Sequence, residues 1–217
     1  MRSGLEDIDR RRASPLATVR AGAALCALAA LVAVAPASAD AFPSAAALAL
    51  SGGGPIPPAE RVEAPDVTLS GSDGSERALD ALDGEVVYVD FWASWCPPCL
   101  RSFPWMDALE ARFARRGLRV VAINLDAERA DATRFLETTP VRFDVAFDPA
   151  GTSAEAFGLL GMPSSYLIDR EGRVALAHVG FRRRDAAALE AAIAAVLAEP
   201  SGETGGGAPL VAESEVE

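Results

Sequence analysis

The sequence is poor in the residues that build metal sites and covalent frameworks. Its 217 residues include three cysteines, one histidine and no lysine. Three cysteines are too few to staple a small disulfide-dependent domain. One C-x-x-C pair beside a single histidine also falls short of the four ligands that a structural zinc site needs. The lone histidine, His178, cannot complete a metal site or a catalytic triad by itself, and is read as having no part in the chemistry. All twenty basic residues are arginine, and no mechanism is drawn from that. A net charge of −11 argues against nucleic acid and against anionic membrane surfaces as partners. There is no internal repeat. Apolar residues, by contrast, are abundant: half of the chain is hydrophobic, enough for a sizeable core in one domain.

The first 39 residues read as an address. Arg10, Arg11, Arg12 and Arg20 form a basic region, residues 21–35 are almost wholly apolar, and Ala37-Ser38-Ala39 supplies a small-residue cleavage site. The apolar run is shorter than the ~20 residues of a spanning helix. A cleaved secretory signal is therefore expected, with an uncleaved N-terminal anchor beginning near Val19 as the alternative. Ala13-Ser14-Pro15 follows the arginines where twin-arginine export wants bulkier apolar residues. Cys26 sits within the run after Leu25, too large a residue for lipoprotein processing, and reads as part of the leader. Removal of the leader would leave Cys96 and Cys99 as the only cysteines, in a periplasmic or otherwise extracytoplasmic compartment.

Composition divides the remainder. Residues 40–59, with an alanine run, Gly52-Gly53-Gly54 and the prolines Pro55, Pro57 and Pro58, read as a flexible linker that includes Phe42. Residues 60–198 carry the periodic structure. Residues 199–217 are rich in Gly and Glu, and read as a disordered tail. Within 60–198, residues 67–69 and 76–79 flank the turn Ser72-Asp73-Gly74 and predict a β-hairpin. Asp83-Gly84 then leads into residues 86–92 (VVYVDFW), a buried strand. Phe103, Met106, Leu109 and Phe113 recur at helical spacing up to Gly117, and residues 119–125 (RVVAINL) predict a second buried strand. Two strands joined by a helix make a parallel, right-handed βαβ unit. A short helix over 130–138, a strand over 143–147 and helical turns over 153–157 follow. Residues 165–169 and 174–179, joined by Arg170-Glu171-Gly172, predict an antiparallel hairpin. Asp185 is placed to cap a last helix that buries Leu189, Ile193, Val196 and Leu197.

The chemistry is expected at residues 91–99 (FWASWCPPC), where a buried strand turns into a helix that starts with the Cys96–Cys99 pair. In a chain of this kind that geometry is a redox motif. The stretch W-C-x-x-C, Gly161-Met162-Pro163 before the later hairpin, the leading hairpin and the insert around 130–158 together resemble the thioredoxin superfamily. The similarity is to its exported TlpA-like (TlpA/ResA-type) branch of thiol–disulfide oxidoreductases, and covers about residues 62–198. It implies an α/β thioredoxin-like fold: a central mixed β-sheet flanked by helices, with an N-terminal β-hairpin and a βαβ-type insert.

The resemblance also implies roles. Cys96 at the helix N-terminus would be the attacking thiol, its pKa drawn below about 8.5 by the helix dipole. Cys99, buried one turn later, would resolve the mixed disulfide. Trp95 would cover the site, and Pro163 would be the family's cis-proline, with the backbone of Met162 pairing with a substrate chain. Asp90, a carboxylate amid apolar neighbours, should be desolvated and raised in pKa. It stands where thioredoxin carries a buried Asp, and resembles the base that accepts the Cys99 proton. TlpA-like proteins more often place a Glu three residues after the second Cys, where this chain has Ser102. The lysine that partners the buried Asp in thioredoxin is matched by Ala122. Pro104 should kink the first helix. Arg182-Arg183-Arg184 reads as a solvated loop.

By the same resemblance the protein would be a monomeric reductase of disulfides in exported proteins, such as apocytochrome c in cytochrome c biogenesis or copper-assembly proteins. It would need no cofactor and no metal, and a DsbD/CcdA-like membrane protein would keep it reduced. The absence of a histidine between the cysteines argues against a strong oxidant. A thiol peroxidase is an alternative that lacks its Thr-x-x-Cys pattern here. A non-catalytic metallochaperone or binding module is another, and would want wider cysteine spacing with a nearby His.

Overall fold

The protein is described by a computed structural model covering Pro43 and residues 54–200 except Asp83. The leader over 1–39 with Cys26, the linker up to residue 53 apart from Pro43, Asp83 of the expected turn, and the tail from 201 lie outside the described residues. Among the described residues no helix is long and apolar enough to cross a membrane.

Eight strands form a single mixed sheet: β1 (Val62–Glu63), β2 (Thr68–Gly71), β3 (Glu76–Ala78), β4 (Val86–Trp92), β5 (Leu118–Asn124), β6 (Asp144–Phe147), β7 (Ser164–Ile168) and β8 (Arg173–Val179). Their order across the sheet is β1-β8-β7-β4-β5-β6-β2-β3. Four α-helices connect or follow them: α1 (Pro97–Phe113), α2 (Arg129–Thr138), α3 (Thr152–Ala156) and α4 (Ala186–Leu197). Strands β4, β5 and β6 are parallel, as crossovers through α1 and α2 require. The β2–β3 and β7–β8 pairs are the two hairpins that their turn residues predict. The first does not stand apart from the core: β2 joins the edge of β6 and extends the sheet.

All seven residues of β4 are buried, and its side chains alternate between two cores. Val86, Tyr88 and Trp92 face the layer of α1, α2 and α4 with Phe103, Met106, Leu189 and Ile193. Val87, Val89 and Phe91 face the opposite layer, with Ile56, Leu69, Phe157 and Tyr166. Aromatic rings pin the strand from both sides. Trp92 packs edge-on to Phe103 at 4.7 Å between centroids, while Phe91 meets Phe157 at 5.4 Å. The end of β4, from which the C-x-x-C turn springs, is thereby held in position.

Helix α1 ends at Phe113, earlier than the spacing suggested. A 3-10 turn over Ala114–Arg116 follows, and Gly117, at φ 86°, closes that turn in the left-handed region that favours glycine. The helix continues through Pro104, whose missing N–H forfeits one internal bond without ending it. Asp185 occupies the N-cap position of α4 but makes no side-chain cap; it accepts instead from the Arg182 backbone N–H at 3.0 Å.

Ordered packing begins before residue 60. Ile56 is buried and donates its N–H to Ala175 O at 2.6 Å, on β8 beyond its short pairing with β1. The adjoining Arg61 is buried and clasps both ends of the fold. Its guanidinium bonds Asp169 at 2.9 Å after β7 and Glu199 at 2.6 and 2.7 Å after α4, and Nε bonds Ile56 O at 2.9 Å. Removing Arg61 leaves the buried Asp169 with Arg173 as its remaining cation at 3.1 Å, a loss at the low end for a broken buried pair, about 3 kcal/mol. Arg61→Ala is accordingly expected to lower stability by that amount and Tm by roughly 6–12 °C, read by urea and thermal denaturation; a loss under 1 kcal/mol would show the clasp to be idle.

Candidate active site

The turn between β4 and α1 is built by three local effects. Strand β4 ends at Trp92, and Cys96 N donates to Ala93 O at 3.1 Å, which folds residues 93–96 into a tight turn. Pro97 and Pro98 then occupy the first helical positions, where a fixed φ near −65° suits the helix and a missing N–H costs nothing. Asp126, buried in the loop after β5, ties the turn down from the neighbouring strand. Its carboxylate accepts from Ser94 N at 3.0 Å, from Ser94 Oγ at 3.1 Å and from Asn124 Nδ2 at 2.8 Å.

Cys96 occupies the N-cap of α1 and Cys99 the third helical position, and the two form a disulfide with Cα atoms 5.3 Å apart. Their exposure differs in the direction their expected roles require: Cys96 is 4% exposed and Cys99 0%. The proline pair has an electrostatic consequence. Leu100 N is already bonded to Cys96 O at 3.1 Å. Of the first-turn amides that a helix leaves unpaired, the prolines remove two, and the Cys99 N–H is left to face an anion at Cys96 alongside the dipole. Ser102 is buried and donates to Cys99 O at 2.7 Å, so the position where a TlpA-like glutamate would stand holds a hydroxyl turned to the backbone.

The Met162–Pro163 peptide bond is cis. Pro163 O accepts from Gly180 N at 2.7 Å, which holds the loop before β7 against the end of β8. Pro163 is buried and Met162 half-buried. Trp95, expected to cover the site, is 66% exposed, and Leu160 and Val179 are the other exposed large apolar side chains among the described residues. Leu160 lies just before the cis-proline and Val179 is paired with Ser164 just after it, so two of the three flank this loop.

Asp90 is buried among the side chains of β4, with Ala122 beside it on β5 and Ser165 on β7. By strand alternation it projects to the same face as Tyr88 and Trp92, the face packed by α1 and Cys99. Its Oδ2 is fully enclosed without a hydrogen-bond partner. Burial, with no cation to offset it, pushes the carboxyl well above the usual carboxylate range. The Tyr88 phenol is also raised, by burial and then by the nearby Asp90 charge, while a hydrogen bond with Ser165 acts in the opposite direction.

Sequence reasoning brought Cys96, Cys99, Trp95, Pro163, Met162 and Asp90 forward, and the fold gathers them around the C-terminal end of β4. It missed Asn124 and Asp126. Their signal was the abrupt return of polar residues at the end of an apolar parallel strand, the end at which open α/β sheets build their sites. Arg182, Arg183 and Arg184 are exposed, as read.

With this geometry in place, comparison with known proteins is informative. The family model described as Redoxin matches residues 59–193. The thiol-disulfide oxidoreductase ResA of Bacillus thuringiensis subsp. konkukian is 30% identical over 112 residues, covering 52% of this chain and 65% of the relative. The chain thus spans just under two thirds of that curated relative's length. A Chlorobium tepidum crystal structure assigned as a thiol:disulfide interchange protein DsbE shares 51% identity at TM-score 0.62, over 63% of this chain and 96% of that one. A second Chlorobium tepidum protein, described as a thiol:disulfide interchange protein of the thioredoxin family, shares 27% identity at TM-score 0.56. The thioredoxin-like fold with a mixed sheet and flanking helices is thereby established.

The raised Asp90 carboxyl has a consequence for stability. A carboxyl whose folded pKa exceeds its unfolded value, near 4, binds more protons in the native state. Stability is then lost as pH rises from about 4 through the raised value. Glu110, also raised by burial, adds the same sign to both proteins and cancels in a comparison. Asp90→Asn is therefore expected to be more stable than the parent near pH 8 by about 2 kcal/mol, the gap closing toward pH 4. Urea midpoints across that range measure it, and parallel profiles would refute the assignment.

Proposed function

The chain belongs to the redoxin family, and from that premise we propose that it is a thiol–disulfide oxidoreductase working through Cys96 and Cys99 as a reductase of disulfides in exported proteins. The observation that carries the reading is the Cys96–Cys99 disulfide at the start of α1, with the less exposed sulfur beneath the more exposed one and the cis-proline loop as its neighbour in the family.

In the reduced protein the Cys96 thiolate, favoured by the helix terminus, attacks one sulfur of a substrate disulfide and expels the other as a thiolate. A mixed disulfide through Cys96 results. Asp90 takes the proton of Cys99, and the Cys99 thiolate then attacks Cys96 Sγ, releasing the second substrate sulfur. Two electrons have passed to the substrate, and the protein is left with the Cys96–Cys99 bond. A dithiol donor restores it; by the resemblance this is a DsbD/CcdA-like membrane protein. Trp95, Met162 and Pro163 would form the substrate-binding rim, with the Met162 backbone pairing to an extended segment. Apocytochrome c and copper-assembly proteins are the substrates the resemblance favours, and the leader over 1–39 supports an extracytoplasmic setting.

The test is trapping in the exported compartment. Cys99→Ser is expected to accumulate a mixed disulfide through Cys96, stable to gel electrophoresis without reductant and lost on reduction, while Cys96→Ser accumulates none. Trapping by Cys96→Ser instead would reverse the two roles. Purified protein should also speed the reduction of insulin by dithiothreitol. No turnover, together with copper bound at one equivalent, would favour the metallochaperone. In the same assay Asp90→Asn is expected to resolve the mixed disulfide about 10- to 100-fold more slowly near neutrality, and an unchanged rate would remove Asp90 from the mechanism.

A further inference from the structure

A base that accepts a proton in every cycle must also return it, and Asp90 is 2% exposed. What lies on either side of it along the sheet decides where the proton can go. On β5 its partner is Ala122, which offers nothing polar. On β7 its partner is Ser165, and the partner of Ser165 on β8 is His178. Residues paired across neighbouring strands project to the same face, so Asp90, Ser165 and His178 form one row beneath α1 and α4. The irregularity in the β7–β8 pairing falls at Leu167/Ile168 and leaves this row intact. Ser165, a small residue, stands between the carboxylate and the imidazole in that row.

The chemistry of the row is unusual at both ends. Four enclosed side-chain atoms among the described residues have no hydrogen-bond partner. One is Asp90 Oδ2 and another is His178 Nε2. Buried polar atoms are nearly always satisfied, and exceptions call for an explanation. The His178 side chain as a whole is 27% exposed, so the ring carries one enclosed nitrogen and still reaches solvent. Asp185 Oδ2 stands 3.8 Å from that nitrogen, with Asp185 25% exposed at the mouth of the row. The remaining polar and charged groups here are Tyr88, bonded to Ser165; Trp92, whose enclosed Nε1 is also unpartnered; Cys99 and Ser102 from α1; the Arg182 N–H, which donates to Asp185 Oδ2 at 3.0 Å; and Arg184, whose Nε lies 3.7 Å from Asp185 Oδ1.

We propose that His178 is the proton relay between Asp90 and solvent, with the Ser165 hydroxyl between them and Asp185 orienting the imidazole at the outer end. The proposal rests on the exchange reading of Cys96 and Cys99. During resolution the Cys99 S–H bond breaks and its proton passes to the Asp90 carboxylate. The Asp90 acid hands a proton across Ser165 to the His178 imidazole, and the imidazolium loses one to solvent at its exposed side. The electron pair left on Cys99 sulfur forms the new bond to Cys96 Sγ, and the substrate sulfur departs with the pair of the broken disulfide. No oxidant or reductant beyond the exchanging thiols takes part. His178 touches no reacting sulfur in this scheme and acts only through Asp90. An imidazole suits that task because one ring nitrogen can accept a proton while the other gives one up.

The experiment isolates the resolving step. Reduced protein reacts with 5,5′-dithiobis(2-nitrobenzoic acid), and stopped-flow absorbance separates release of the first thionitrobenzoate, by Cys96 attack, from the second, by Cys99 attack. His178→Gln is expected to leave the first phase unchanged and slow the second about tenfold between pH 6 and 7. The deficit should shrink at alkaline pH, where hydroxide removes the Cys99 proton, and added imidazole buffer should restore the rate. Asp185→Asn should fall between the two proteins, with near-UV circular dichroism confirming that each variant is folded. Wild-type second phases in both variants at every pH, with no response to imidazole, would overturn the relay alone. Release of only one thionitrobenzoate by the parent protein would overturn the exchange reading, and the relay with it.

Discussion

The site depends on a strand with no exposed face. Every residue of β4 is buried, because the sheet continues on both sides of it and a layer packs against each of its faces. Period-two alternation then leaves a charged residue on that strand only a choice of core. Asp90 falls in register with Tyr88 and Trp92, and so lies under α1, the helix that carries both cysteines. Placed one residue earlier or later, the same carboxylate would face the layer of Phe157 and Tyr166, away from the sulfur chemistry. The aromatic rings that pin β4 from above and below set the position of the turn and the depth of the acid together. The cysteine pair and the buried acid beneath it are therefore two results of one packing constraint.

That constraint explains what could be read from the sequence. The strand VVYVDFW, the helix after Cys96, both hairpins and the final helix are local patterns of apolar period and turn chemistry, and local patterns survive the absence of a structure. Pro163 could be singled out only because Gly161-Met162-Pro163 matched a known motif; a cis bond is otherwise a rare outcome for an X-Pro pair. The rest depended on which strands become neighbours. Asn124 and Asp126 are unremarkable after an apolar run until β5 lies beside β4 and brings Asp126 to Ser94. Ile56 fell within the expected linker over 40–59, and Arg61 stood just past its end without an evident role. They belong to the core because β8 has a free carbonyl at Ala175 beyond its two-residue pairing with β1, and because Asp169 draws a cation, neither visible from positions 56 and 61 alone. Asp185 shows the opposite error. The residue type and place were right for a helix cap, but Arg182 N–H claims its carboxylate and His178 adjoins it.

His178 was set aside for a sound reason: a single imidazole builds neither a metal site nor a triad. That reasoning asks what the histidine could do by itself, and register adds the row in which the proposed relay places it. The chain has no lysine to set beside the buried acid, and Ala122 stands where thioredoxin has one. The β5 side of Asp90 is thus closed to protons, while on the other side the row continues through a hydroxyl to a partly exposed imidazole. A buried carboxyl that cycles its proton needs at least one polar exit, since desolvation disfavours the anion and an enclosed acid cannot reach water unaided. The same residues would be a poor choice for stability alone, with Asp90 Oδ2 and His178 Nε2 both enclosed and unpartnered. Replacing both by apolar side chains would relieve that cost, which makes two unsatisfied polar ends on one row, beneath one disulfide, better explained by proton traffic than by packing.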